Sequence, residues 1–276
     1  MIRSLMVIYT IWLREVTLAM RERVRIVATV AQPLIYLAVL GKGITSGLTL
    51  TSAGNIEYLK FMYPGVIGMS ILFTSIFAAL SIIWDREFGF LKEVLVAPVP
   101  RWAVAVGKSF GGATVALVQV AMLICIAPIV GISLSVAIVL QMLFLGLLMS
   151  LAVTSLGVIV ASRMESMASF QMVMNFLVMP LYFLSGAMFP MSSAPTWMKT
   201  LMSADPLTYG VDAIRNIMFS GTSIVVAGGA RPLVDVARAA GLIRWSLWQD
   251  VSLMAFSAVV LTTAGAWAFS KSQAAL

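Results

Sequence analysis

The stretch WDREFGFLKEVLVAPVPR, residues 84–101, puts six charged side chains (Asp85, Arg86, Glu87, Lys92, Glu93 and Arg101) into a chain that is 61% hydrophobic. On either side lie apolar runs longer than an ordinary soluble helix. Two prolines, Pro98 and Pro100, stand near its end. A charged connection between two membrane spans accounts for all three features, and that reading sets the fold class.

Composition agrees with it. Only 11% of the 276 residues are charged, and the mean hydropathy is +1.02. Average soluble chains carry about a quarter charged residues, so a water-facing surface could not be covered here. Apolar windows of about 20 residues recur, the length that crosses roughly 30 Å of hydrocarbon. The runs are apolar on both parities, unlike the alternating strands of a membrane β-barrel. The expected fold is therefore an all-α membrane protein forming one transmembrane domain over residues 1–276. Its six spans fall at about 25–44, 60–83, 104–128, 134–161, 168–190 and 250–270. The net charge of +7 is explained by topology, and no nucleic-acid partner is expected.

Basic residues orient the bundle. With the N-terminus in the cytoplasm, Arg3, Arg14, Arg21, Arg23, Arg25, Arg86, Lys92, Arg101, Lys108, Arg163 and Lys271 all fall inside. The two short outer loops hold only Lys42 and Lys60. Both termini and the stretch 84–101 are then cytoplasmic. Residues 1–24 read as a separate amphipathic helix. Leu5, Tyr9, Trp12 and Val16 share one face, and Arg3, Arg14, Arg21 and Arg25 gather opposite, a pattern that suits a helix lying flat at the inner leaflet among membrane lipids. The outer connection 191–249 is too long for a plain loop. It suggests short amphipathic helices, one over Leu207–Phe219, followed by a flexible link at 221–232.

Several chemistries are missing. There is no histidine and only one cysteine, Cys125, so a transition-metal site is not expected. Gly107-Lys108-Ser109 resembles the tail of a phosphate loop, but Trp102 stands where its first glycine belongs. The spans show only neutral polar residues at depth: Gln32, Gln119, Gln141, Gln171 and Asn175. Ion-coupled carriers use intramembrane acids or bases, so if the protein moves something uphill, the energy must come from a separate subunit. Gln32, Tyr36, Gln171, Asn175 and Tyr182 are candidates for a translocation path, with interhelical hydrogen bonding the plainer role for the amides. The segment EFGFLKEVLVAP then gains a purpose. It has room for about three helical turns and is apolar on most sides, so it suits a groove on a partner.

The stretches YLKFMYPGVIGMSILF (58–73), WDREFGFLKEVLVAPVPRWAVAVGKSFGG (84–112) and LSGAMFPMSSAPTWMKTLMSADPLTYGVDAIR (184–215) resemble the permease subunits of ABC type-2 exporters, above all those for daunorubicin-type drugs and lipo-oligosaccharides. The resemblance implies two permease copies, as a homodimer or heterodimer. It implies a coupling helix at 86–98 seated in a separate ATP-binding subunit, through Arg86, Glu87, Phe88, Phe90, Leu91, Lys92, Glu93, Leu95, Pro98 and Arg101. ATP and magnesium would bind to that partner, and this chain would carry no cofactor and no catalytic residue. It further implies short re-entrant helices in the outer connection and export of a hydrophobic drug, lipid or lipid-linked glycan across a bacterial or archaeal cytoplasmic membrane. A non-transporting membrane partner of an ATPase is the alternative. An intramembrane enzyme would need a catalytic pair at depth, which Ser150, Thr154, Ser155, Ser169 and Asn175 do not supply.

Overall fold

The computed structural model describes residues 2–44, 49, 50, 56–90, 94, 96, 99–226 and 229–272. Helix α1 (Ile2–Arg21) passes through Glu22 into α2 (Arg23–Ile44). A short antiparallel hairpin, β1 (Thr49–Leu50) with β2 (Ile56–Glu57), leads to α3 (Tyr58–Ala79). After a break at Leu80 the same rod continues as α4 (Ser81–Glu87). Next come α5 (Arg101–Ile126), α6 (Val136–Arg163) and α7 (Met167–Leu184). The connection 185–246 holds α8 (Thr196–Ala204), α9 (Pro206–Ser220), the hairpin β3 (Ser223–Val226) with β4 (Gly229–Pro232), and α10 (Leu233–Ala239). Helix α11 (Leu247–Ser272) follows.

Among the described residues, five helices are long and apolar enough to cross a membrane: Leu59–Glu87, Arg101–Ile126, Val136–Arg163, Met167–Leu184 and Leu247–Ser272. The 28 residues of α6 rise about 42 Å, more than the hydrocarbon thickness. The first expected span corresponds to α2, whose apolar run covers only Val27–Val39. The fifth was expected to reach residue 190 but stops at Leu184. Gly186, with φ +69, takes the left-handed conformation that ends helices, while Pro180 is carried inside α7.

Helix α3 is the axis of the bundle. Phe61, Tyr63, Ile67, Ile71 and Leu72 have no exposed surface, and the helix touches α2, α5, α6, α7 and α9. A helix hydrophobic on every side belongs in the centre. Small residues let its neighbours approach. A Cβ on Gly65 would come within 2.6 Å of the Ala187 carbonyl oxygen, and one on Gly157 within 2.6 Å of the Ala79 Cβ.

One expectation about the outer connection is corrected. Residues 221–232 were read as a flexible link because they are rich in glycine, with three glycines and a proline. Instead, Ser223 pairs with Pro232 and Val226 with Gly229 in a hairpin. The helix expected at Leu207–Phe219 exists as α9, and most of its residues are buried against α3, α6 and α11. Asp205 starts it, its Oδ1 accepting from the Leu207 N–H at 3.0 Å ahead of Pro206. The arrangement gives the bundle a cap end, at 185–246, and an opposite end where 84–101 lies.

Candidate functional site

That opposite end is organised by a closed ring of alternating charge. Arg14 grips Asp85 with both guanidinium nitrogens, Nη2 to Oδ1 at 2.7 Å and Nη1 to Oδ2 at 3.0 Å. Lys108 Nζ lies 2.6 Å from Asp85 Oδ2 and donates to Glu15 Oε1 at 2.8 Å. Arg14 Nη1 closes the circuit on Glu15 Oε1 at 3.1 Å. A further bond from Lys108 to Ser81 Oγ, at 3.1 Å, adds α4 a second time. The ring ties α1, α4 and α5 together, and we call this the clamp end. Burial would pull the Arg14 guanidinium down, and the Asp85 carboxylate overrides it, holding the group above its ordinary range.

Helix α1 packs along the first half of α5 in the same direction. Ile8 and Ile11 sit over Gly107, and Trp12 and Glu15 over Gly111. Trp12 Nε1 donates to Thr114 Oγ1 at 2.9 Å. Arg14 was expected on a basic face beside Arg3 and Arg21. It turns instead into the ring, because a carboxylate there repays its desolvation better than a surface position would. Arg21 is exposed, and the Arg3 side chain lies outside the described residues. The spans were also read as almost free of buried acids and bases, with only neutral polar residues at depth. Asp85, Lys108 and Asp250 correct that, each at most 6% exposed within a spanning helix.

The 84–101 segment leaves this ring through Gly89. Helix α4 ends at Glu87, Phe88 N donates to Trp84 O at 2.9 Å, and Gly89 takes φ +81. One helix over 86–98 was expected. The left-handed glycine breaks it, so Arg86 and Glu87 belong to α4, and helical residues resume at Phe90, with Val94 and Val96. Arg86 is turned inward, donating to the carbonyls of Met164 at 2.5 Å and Ser162 at 3.2 Å at the end of α6. Glu87 Oε1 accepts from Met167 N at 3.3 Å, at the start of α7. Phe90 lies against Arg14, whose Cζ is 3.9 Å from the ring centre. Phe88, by contrast, is 81% exposed, and Val96 87%. Arg101 is half-buried. Leu91, Lys92, Glu93, Leu95 and Pro98 lie outside the described residues.

The candidate path residues fall in two places. Gln32 and Tyr36 line a cavity of about 370 Å³ between α2 and the α3–α4 rod. Gln171 and Asn175 are exposed on α7, while Tyr182 is buried; none of the three lines that cavity. Gln119 has a structural task. Pro33 lacks the N–H that should bond the Thr29 carbonyl one turn earlier. Gln119 Nε2 supplies it at 2.6 Å, and Thr74 Oγ1 donates to the Gln119 oxygen. Replacing Gln119 with leucine should orphan that carbonyl and destabilise the protein by about 1–3 kcal/mol, measured as unfolding free energy in mixed micelles. Unchanged stability would argue against this bracing of α2 at Pro33.

At the cap end, Arg215 is buried. Its Nη1 donates to Leu242 O at 3.1 Å and its Nη2 to Gly186 O at 3.0 Å, and its Cζ lies 4.3 Å from the Phe61 ring centre. Asp212 stands 3.8 Å away and accepts from the backbone N–H groups of Arg244 and Trp245. Burial pushes the Asp212 carboxyl up and draws Arg215 down to about 10, so drying the pair outweighs its attraction.

Residues 6–219 match the family model of the ABC-2 type transporter. This chain belongs to that family. Among its relatives, the ABC-2 chain is 28% identical over 198 residues to a transport permease, ycf38, of Cyanophora paradoxa, covering 71% of this chain and 68% of the relative. It is 27% identical to nodulation protein J of Rhizobium leguminosarum bv. trifolii, over 76% of each. It is 24% identical to the multidrug ABC transporter permease YbhR of Escherichia coli K12, over 71% of this chain and 54% of YbhR. Membership makes the chain an integral membrane permease and implies an ABC ATPase as partner. Within this ABC-2 permease, the matched region contains the clamp ring, the 84–101 segment and α9. The ring itself escaped sequence reading. Lys108 was counted as a loop charge, yet it lies two turns inside α5, where an ammonium needs an acid beside it.

Proposed function

We propose that the chain is the membrane-spanning half of an ATP-driven exporter that moves a hydrophobic drug, lipid or lipid-linked glycan outward. In this reading α2 is the first of six spans, and the clamp end and both termini face the cytoplasm of a bacterial or archaeal cell. Helix α1, packed along α5, offers Leu5, Met6, Tyr9 and Leu13 to inner-leaflet lipid. A second permease copy completes the path, as homodimer or heterodimer. The ABC ATPase binds ATP and magnesium and receives the 84–101 segment.

The observation that carries this reading is the placement of Phe88. It projects at 81% exposure from a segment whose neighbour Phe90 rests on the ring that joins α1, α4 and α5. A push on that segment reaches three helices at once. An exposed aromatic of this kind has the character of an interface anchor. Phe88→Asp is therefore expected to weaken ATPase binding on the order of 30-fold while the isolated permease keeps its thermal stability. Co-purification titrations with the cognate ATPase, with substrate-stimulated ATP hydrolysis in proteoliposomes, measure both. Full binding and full stimulation in that variant would remove the segment from the interface.

A further inference from the structure

The 370 Å³ cavity is walled by Phe73, Phe77, Leu80, Met69 and Trp84 on one side and by Ala28, Pro33, Gln32 and Tyr36 on the other. Its size falls in the range of small-molecule sites. Of its polar groups, Ser70 Oγ is spent on the Val66 carbonyl, and Thr74 and Gln119 on each other and on Thr29. Gln32 and Tyr36 lie one turn apart on α2, both partly exposed, and neither has a hydrogen bond to another described residue. The cavity therefore offers an apolar, aromatic body and two uncommitted neutral hydrogen-bonding groups.

A second cavity, of about 280 Å³, adjoins it through the shared residues Glu22, Phe77 and Trp84. Its far wall is the clamp ring: Arg14, Glu15 and Asp85. Those side chains are already satisfied by one another and by Lys108, two acids against two bases, and Glu22 has a partner of its own. A net charge entering here would have to break a neutral ring, with the desolvation cost that leaves buried charges unpaired. A polar group without net charge can hydrogen-bond to the ring without disturbing it.

We propose that these two cavities form one site for an amphiphile whose single apolar body lies between α2 and α3, with a head of no net charge toward the clamp ring. The site rests on the exporter reading only for what happens to the molecule afterwards. Occupancy belongs to the permease alone and is measured without the ATPase.

The test uses the full chain in nanodiscs and a neutral 6-acyl-2-dimethylaminonaphthalene probe, with its trimethylammonium and carboxylate derivatives. The neutral probe should bind saturably, one per chain, above the background of empty nanodiscs. Gln32→Leu should weaken it roughly 3- to 10-fold, the loss of one or two neutral hydrogen bonds. Ala28→Trp, at an exposed position, should fill the cavity and abolish saturable binding, while Val39→Trp on an exposed position outside the cavity should leave it intact. Either charged derivative should bind at least about 10-fold more weakly. Unchanged binding in both Gln32→Leu and Ala28→Trp, or equal affinity for a charged derivative, would overturn the assignment. Competition by short-chain phosphatidylcholine would identify a membrane lipid as the occupant. Competition only by uncharged aromatic solutes would identify an exported solute. A wild-type chain that binds the probe yet exports nothing with its ATPase would sink the exporter reading and leave this site standing.

Discussion

Asp85→Ala is expected to cost about 3–5 kcal/mol of folding free energy, the range for removing one member of a buried ion pair. The loss exceeds that of a single salt bridge because Asp85 serves two cations at once. Without it, Arg14 and Lys108 share only Glu15, and Lys108, with its side chain 3% exposed, cannot turn to water. Unfolding in mixed micelles gives the free energy, and a double-mutant cycle separates the coupling. Lys108→Met combined with Asp85→Ala should be milder than the sum of the two single changes, since Arg14 and Glu15 then remain as a balanced pair. Strict additivity would mean that the four side chains do not act as a unit. Asp85→Glu, which keeps the charge, should recover much of the stability.

Arg215→Met is expected to be of similar severity at the other end, again about 3–5 kcal/mol. The substitution removes donors from two backbone carbonyls, Leu242 and Gly186, and the cation from Asp212. Those carbonyls belong to the turn after α10 and the turn after α7, so α9, α10 and the end of α7 lose a common tie. Arg215→Lys is the informative control. A lysine keeps the charge but is a point donor without the planar fork, so it should restore only part of the loss. Full recovery by lysine would show that charge alone matters there. Thermal inactivation in detergent, followed by protease sensitivity of the 185–246 connection, reads the local effect.

How far the sequence spoke can be judged residue by residue. Five candidate spanning helices were legible because a membrane demands long apolar windows, while the effect of single glycines was not. Gly89 is one case: a lone glycine inside an apparent helix gives no sign that it will adopt positive φ. Phe88 and Phe90, two residues apart across that turn, take opposite roles, one on the ring and one exposed. The ring was beyond reading because its partners are remote. Arg14 and Asp85 are separated by 71 residues, and Glu15 and Lys108 by 93. No local period marks such pairs. Only the cost of burying Lys108 hinted that partners had to exist. Gln119 was noticed as a polar residue at depth, but its assignment to Pro33 needs the packing of α5 against α2. The hairpin at 223–232 was hidden by glycine, which favours loops in composition and tight turns in space alike.

The proline inside α2 has a mechanical consequence. In an unbroken helix, bending stretches a ladder of internal bonds that all resist together. At Thr29 the ladder has a rung supplied by a different helix, through Gln119. The compliance of α2 is thereby set by how closely α5 stays beside it. The stiff members of the bundle are the α3 axis and the three helices locked by the ring. Between them α2 is the one wall of the cavity that can give, as a door swings on a hinge fixed to its frame.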